Sequence, residues 1–262
     1  MIRAVSHVHS TYSFDAKVPL PELAELFRGK GVQAVLMTEH VEPWDVATFN
    51  RFVAECRSLS TPDFLLLPGV ELEYQNVLAF GVDHVDGWDA VTDLIETFRE
   101  QGAFLALSHP RKLHPDAPQW AFPVVEGVEV WNRKYDGTRT MRPGSYALLE
   151  RLAEEDRPLV PTAGLDFHRL SDWTDVWMEL GAERPVREDV LAALRRGEVR
   201  IRAHGEVIPI YDDSTPGARA LYQVKSAACT TVLDAAVNAH HGLSKAGISM
   251  PHGVKKFVRK LF

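Results

Sequence analysis

Two histidines one residue apart, His7 and His9, follow directly on the apolar run from Met1 to Val5. Side chains of a β-strand alternate between its faces, so a strand through this stretch presents both imidazoles on one side. That arrangement supplies two nitrogen ligands for one metal ion. Imidazole suits zinc, iron, manganese or nickel, whereas calcium and magnesium prefer oxygen, so the pair points to a transition metal. By itself such a pair is also a hydrogen-bonded feature of a strand end. The rest of the chain decides between the two, because His40, Glu71, His109, Asp166 and His168 each stand at or just beyond the end of a short apolar run.

The elements that must position these residues read as alternating strands and helices. Helical spacing of apolar residues predicts helices over 19–28, 46–58, 89–101, 144–156 and 187–196. Short, wholly apolar runs bounded by glycine or polar residues predict buried strands over 34–37, 64–71, 77–82, 104–107, 128–131, 159–163 and 176–180. Such alternation implies parallel pairing with the helices outside. Six or seven units within roughly 200 residues predict a closed barrel somewhat short of the usual eight-unit form. Barrels of this kind build their sites at the carboxyl ends of the strands, which is where the ligand-type residues fall.

A formal charge of −7 gives the chain no general attraction for nucleic acid. No apolar run reaches membrane-spanning length, so integral membrane association is not expected, and the opening residues lack the pattern of a signal peptide. A cytoplasmic location is therefore expected. Cys56 and Cys229 are too few and too separated for a disulfide framework and are read as packing residues. The chain divides into 1–204, which carries the site, and a C-terminal extension, 205–262. In the extension, 218–239 has helical spacing. The stretch 242–262 combines Lys245, Lys255, Lys256, Arg259 and Lys260 with Val254, Phe257, Val258 and Leu261 on one helical face. That stretch is expected to dock on its own domain, or to contact a partner or an anionic surface.

In order along the chain, His7-x-His9, Asp15, Thr38-Glu39-His40, Gly69-Val70-Glu71, Ser108-His109-Pro110 and Gly164-Leu165-Asp166-Phe167-His168 resemble the motif series of the polymerase and histidinol phosphatase (PHP) family. The resemblance implies an α/β fold, a distorted (β/α)7 TIM-like barrel, here with a helical C-terminal extension. It also implies two or three divalent ions of zinc, manganese or iron and the hydrolysis of phosphate esters. Carried over by position, it places His7, His9, Glu71 and Asp166 around a first ion. Glu71 would bridge to a second ion also held by His109, while Asp15, His40 and His168 would hold a third. The residues expected to carry catalysis, through a hydroxide shared between metals, are His7, His9, Glu71 and Asp166. One position departs from the series: where many relatives have a histidine before the 77–82 strand, this chain has Asn76. Either Asn76 serves as a weak oxygen ligand, or His84, just beyond the strand, substitutes for it, or neither serves and the second metal site is weakened.

Arg111, Arg133, Lys134 and Arg169 follow three separate strand ends and form a candidate clamp for substrate phosphate. The competing reading pairs them with Asp116, Asp136 or Asp172. Asn132 is a candidate for orienting substrate. Glu39 and Glu129 are candidates for fixing histidine rings. Trp120 and Trp131 would line the pocket or belong to the core, and His114, His204, His240, His241 and His252 are read as ordinary surface or hydrogen-bonded histidines. The expected substrate is a small phosphomonoester, a nucleotide or a short oligonucleotide. Ser13-Phe14-Asp15 resembles the histidinol phosphatase opening, while Glu129-Val130-Trp131-Asn132 resembles nucleotide- and RNA-processing members; a phosphotyrosine protein is a further substrate considered. The alternatives are a non-catalytic scaffold that binds a partner and an amidohydrolase-type hydrolase.

Overall fold

The computed structural model describes residues 1–85, 91–109, 123–155, 158–210 and 215–245. Arg111, His114, Trp120, His252, the side chains of His240 and His241, and the basic stretch after Lys245 lie outside the described residues. In chain order the elements are β1 (Ile2–Val8), α1 (Leu20–Gly29), β2 (Ala34–Met37), β3 (Glu39–His40), α2 (Val46–Leu59), β4 (Leu65–Leu67), β5 (Gly69–Leu72) and β6 (Val77–Phe80). There follow α3 (Val91–Glu100), β7 (Phe104–Leu107), β8 (Gly127–Asn132), α4 (Arg133–Asp136), α5 (Pro143–Glu154) and β9 (Val160–Phe167). A 3-10 turn (Leu170–Asp172) then leads to β10 (Val176–Leu180), α6 (Arg187–Arg195), β11 (Val199–Ala203), β12 (Glu206–Val207) and α7 (Pro216–Lys245).

Local chemistry accounts for the helices. In α1, Pro21 sits in the first turn, and Leu20, Leu23, Ala24 and Phe27 form one buried face. In α2, Asp45 caps the start by accepting from Thr48 N, and Phe49, Phe52, Val53 and Cys56 turn inward at helical spacing. Each such phenylalanine, fully buried, contributes roughly 1.5–3 kcal/mol. Cys56 is a core residue, as expected, and Cys229 is partly buried.

All the strands among the described residues join one mixed sheet, in which β1 pairs with β2, β9 and β10. β1 pairs in parallel with β2 along one edge. Its other edge takes β9 in parallel at Ser6 and Val8, and β10 antiparallel at Ile2 to Ala4. The expected all-parallel pattern fails at β6, which runs antiparallel to both β5 and β7. The cause is the short link: the turn between β5 and β6 spans only Glu73 to Asn76, whereas a parallel connection needs about a dozen residues or more. Asn76, at φ 54°, supplies the left-handed backbone that the turn requires. The single strand read over 64–71 is broken at Pro68, which has no N–H to continue a ladder. Gly69 then fits tightly, since a Cβ there would collide with the carbonyl oxygen of Met37.

Within the C-terminal extension β12 joins the sheet through β11, and the helix expected over 218–239 is the longer α7. It grips the loop ahead of α5: Met141 N donates to Tyr222 Oη at 3.1 Å, Ser226 Oγ donates to Met141 O, and buried Arg142 pairs with Asp234 at 2.8 Å. No helix among the described residues is long and apolar enough to cross a membrane.

Candidate metal centre

The backbone that delivers the site is bent out of regular strand geometry. His7 lies within β1 at φ 57°, and the pairing of β1 with both β2 and β9 slips between Ser6 and Val8. This is a β-bulge, which re-aims a side chain. His109 and Asp166 also take positive φ, 27° and 49°. Thus three of the five described non-glycine residues in this region of backbone space stand at the site. Left-handed backbone is costly for such residues, and its concentration here marks a place where geometry is imposed.

Three overlapping groups of ligand atoms result: His7, His9 and Asp166; His7, Glu71 and His109; and His9, His40 and His168. Within each group the ligand atoms lie within 4.8 Å of one another. Glu71 stands at the centre. Its Oε1 is 2.8 Å from His109 Nε2, and its Oε2 is 3.1 Å from His7 Nε2, 3.5 Å from His9 Nε2 and 3.8 Å from His40 Nδ1. Asp15, at the outer edge, is 2.9 Å from His168 Nε2 and 3.8 Å from His40 Nε2.

The residues fit bound transition metals. His9 Nε2, His40 Nδ1, His109 Nδ1 and His168 Nε2 are buried nitrogens with no hydrogen-bond partner; the His168 contact with Asp15 is close but lacks hydrogen-bond alignment. Buried polar atoms are normally satisfied; the free nitrogens of His9, His40 and His168 lie beside Glu71 or Asp15, and with His109 Nε2 at Glu71 they form a donor set suited to zinc, manganese or iron.

Supporting residues fix the rings. Glu129 accepts from His7 Nδ1 at 2.8 Å, from His109 N at 2.8 Å and from Asn132 Nδ2 at 2.9 Å. Gly164 makes room for it: a Cβ there would collide with Glu129 Oε1 and approach His7 Cβ to 2.6 Å. Asn132 caps α4, accepting from Lys134 N and Tyr135 N, and its amide reaches Asp166 Oδ2 at 3.3 Å. Glu39 accepts from Ser10 N, Ser10 Oγ and Ser13 Oγ.

Burial opposes charge throughout the cluster, and neighbours decide the outcome. Burial alone would lower His7, but Glu129, Glu71 and Asp166 hold it well above its usual range. Burial, aided by the charges of His168, His7 and His40 and opposed by Glu71, drives His9 well below its usual value. Glu71 resists the upward push of burial because His7 and His109 stabilise its charge, and it stays well below the usual carboxylate range. Asp166 is likewise lowered, with His7 and Lys134 outweighing burial. Burial pushes Glu39 up to about 7 despite the bonds from Ser10 and Ser13.

The candidate cations separate. Lys134, on α4, places Nζ 3.2 Å from Asp166 Oδ1 while its side chain stays 45% exposed. Arg133 turns away to Asp172 at 3.1 Å and to Ser171 O, following the competing reading. Arg169 is 65% exposed, with Nε 3.7 Å from the same Asp172. Among the described arginines and lysines of the expected clamp, only Lys134 reaches the cluster. His84 joins none of the three groups and is 57% exposed beside Asp83, while the backbone oxygen of Asn76 accepts from Ser108 N at 2.8 Å. Trp131 is core, fully buried with Nε1 donating to Gly137 O, and His204 Nε2 donates to Thr138 O. Sequence reasoning missed Ser10 and Tyr135, whose ring packs against His109, and gave no role to Ser13 or to Phe14, which is 68% exposed and stacked on His40.

A family model, the PHP domain, matches residues 6–157, more than half of the sequence. The chain belongs to the PHP domain family. Within the matched PHP span lie His7, His9, Asp15, His40, Glu71 and His109, while Asp166 and His168 follow it. Among solved structures, the PHP chain is similar to a two-domain protein from Bacteroides vulgatus, described as containing a predicted PHP-like metal-dependent phosphoesterase. That likeness has a TM-score of 0.60 at 18% identity and covers 86% of this chain and 69% of the other. It is also similar to PsfC from Pseudomonas syringae, with a TM-score of 0.54 at 19% identity, covering 84% of this chain and 95% of PsfC. At such identities the likeness speaks for the fold. A search of curated proteins gives no match.

Proposed function

We propose that this PHP protein is a metal-dependent phosphoesterase that hydrolyses a small phosphomonoester, a nucleotide or a short oligonucleotide in the cytoplasm. The observation that carries the reading is the overlap of three ligand groups, one of which holds Glu71, with Glu71 also within 3.8 Å of His9 and His40. His7, His9, Glu71 and Asp166 would hold one ion, Glu71 and His109 a second, and Asp15, His40 and His168 a third. The overlap of His7 and His9 between groups supports neighbouring ions that share ligands. When bound, zinc, manganese or iron would supply Lewis acidity, activating water and drawing charge from phosphate oxygens.

The chain's own residues then have separable tasks. Glu129 holds the proton at His7 Nδ1 and turns Nε2 towards Glu71. Lys134, tethered to Asp166 and partly exposed, receives a non-bridging phosphate oxygen. Arg169 and Arg133, beside Asp172, screen the approach of an anion. Phe14 walls the exposed side of His40 and offers an apolar face to the leaving group. We read the fold as a distorted seven-stranded barrel: β2 and β3, and likewise β4 and β5, count as single interrupted strands, and the pairings then run from β1 round to β9 and back.

The test is a hydrolysis screen of the manganese-loaded protein beside His9→Ala. Its substrates are histidinol phosphate, nucleoside mono- and bisphosphates, oligonucleotides, a phosphotyrosine peptide and carboxylic esters. Turnover of one phosphate class, lost in His9→Ala, supports the proposal. Turnover of carboxylic esters alone would move it to amidohydrolase chemistry, and no turnover with metal bound would move it to a scaffold.

A further inference from the structure

Ser13 Oγ has three polar neighbours: Glu39 Oε2 at 2.6 Å, His40 N at 2.9 Å and His9 Nδ1 at 3.2 Å. A serine hydroxyl carries one proton. With Glu39 ionised, as in mildly alkaline buffer, the short bond to it is charge-assisted and takes that proton. His40 N can only donate. Ser13 therefore has no proton left for His9, and the Ser13 to His9 bond forms only if His9 Nδ1 is the donor. A neutral imidazole protonated at Nδ1 keeps its lone pair on Nε2. His9 Nε2 is the buried nitrogen that lacks a hydrogen-bond partner, and His9 belongs to two of the three ligand groups.

We propose that Glu39, acting through Ser13, fixes the Nδ1-protonated tautomer of His9 and so presents Nε2 to the metal centre. Glu39 is a positioning residue that bonds Ser10 and Ser13 rather than an imidazole. His7 obtains the same service directly from Glu129, whereas His9 obtains it one hydroxyl removed. The inference rests on the reading of His9 as a metal ligand.

Glu39→Gln makes the proposal testable because its hydrogen-bond directions are forced. Ser10 N and Ser10 Oγ both point donors at Glu39 Oε1, so the carbonyl of a glutamine must face Ser10 and its NH2 must face Ser13. Ser13 then accepts from the amide, and its own proton turns to His9 Nδ1. The His9 proton moves to Nε2, where it competes with metal. In mildly alkaline buffer, nitrogen NMR of the metal-free protein should report an Nδ1-protonated His9 in the wild type and an Nε2-protonated one in Glu39→Gln. Calorimetric titration with manganese or zinc alone should show affinity falling about 10- to 100-fold, the range for residues that support a ligand. Ser13→Ala removes the relay, so it should weaken metal binding comparably, and Glu39→Gln added to it should cost little more. An unchanged His9 tautomer, or unchanged metal affinity in Ser13→Ala, overturns the relay. If Glu39→Gln fails to fold, Ser13→Ala alone still decides. His9→Ala separates the two ideas: undiminished metal affinity there would overturn the ligand reading itself, whereas a loss there with Glu39→Gln unaffected would overturn only the relay.

Discussion

Gly164→Ala should be among the most damaging single-methyl changes available to this protein. The added carbon would collide with Glu129 Oε1 and lie 2.6 Å from His7 Cβ, so the carboxylate must move. It cannot move cheaply, because it holds His7 Nδ1, His109 N and Asn132 Nδ2, all buried. Overpacking costs about 1–3 kcal/mol. Breaking one hydrogen bond to a buried charged group adds about 1.5–3 kcal/mol. The expected loss is therefore about 3–5 kcal/mol, read from urea unfolding of the metal-free protein. Manganese titration of the same variant should show weakened binding, since His7 loses its orienting partner. In a Glu129→Ala background the same glycine change should cost at least about 1 kcal/mol less, because the main collision is gone. A loss below about 1 kcal/mol with full metal affinity would refute the reasoning.

His7→Gly should leave the metal-free protein more stable than His7→Ala by about 1 kcal/mol, because φ 57° suits glycine; equal stabilities in chemical unfolding would remove the strain argument. His7, raised above its usual range, stabilises the metal-free fold fully below its unfolded value and loses that contribution as pH rises through the folded one. Metal binding near neutral pH must therefore expel a proton, and affinity should climb with pH up to the folded value. Calorimetry in two buffers of different ionisation enthalpy checks this, and equal heats would contradict it. Lys134→Ala should raise KM for the phosphate substrate more than it lowers kcat, and steady-state parameters matching the wild type would take Lys134 out of substrate binding.

Much of the site was legible because its residue types are scarce in strand ends and came in order. His40, Glu71, His109, Asp166 and His168 do converge with His7 and His9. The route differed for His7, which reaches the cluster through a bulge rather than by plain alternation, and a bulge leaves no periodic signal. The direction of β6 was hidden because an apolar run reads the same both ways; only the short turn before it carried the information. Short α4 has too few residues for helical periodicity, and β11, Val199-Arg200-Ile201-Arg202-Ala203, alternates apolar and charged residues, whereas the reading sought wholly apolar runs. The fate of Arg133 depended on Asp172, 39 residues away, whose carboxylate already served the His168 and Arg169 amides. Glu39 and Glu129 could be given supporting roles from their strand ends, but the role of Ser13 could not be read, since a serine near a histidine has no distinctive spacing.

The grip of α7 on the loop ahead of α5 bears on where this protein can be cut. Without that helix, the amide and carbonyl of Met141 and the guanidinium of Arg142 would lose Tyr222, Ser226 and Asp234 at a buried position. Each lost hydrogen bond is worth about 0.5–3 kcal/mol net. The same loop continues directly from α4, which carries Lys134. A protease nick or a stop codon ahead of Pro216 would thus be felt not as the loss of an appendage but as slackening of the segment that aims the lysine.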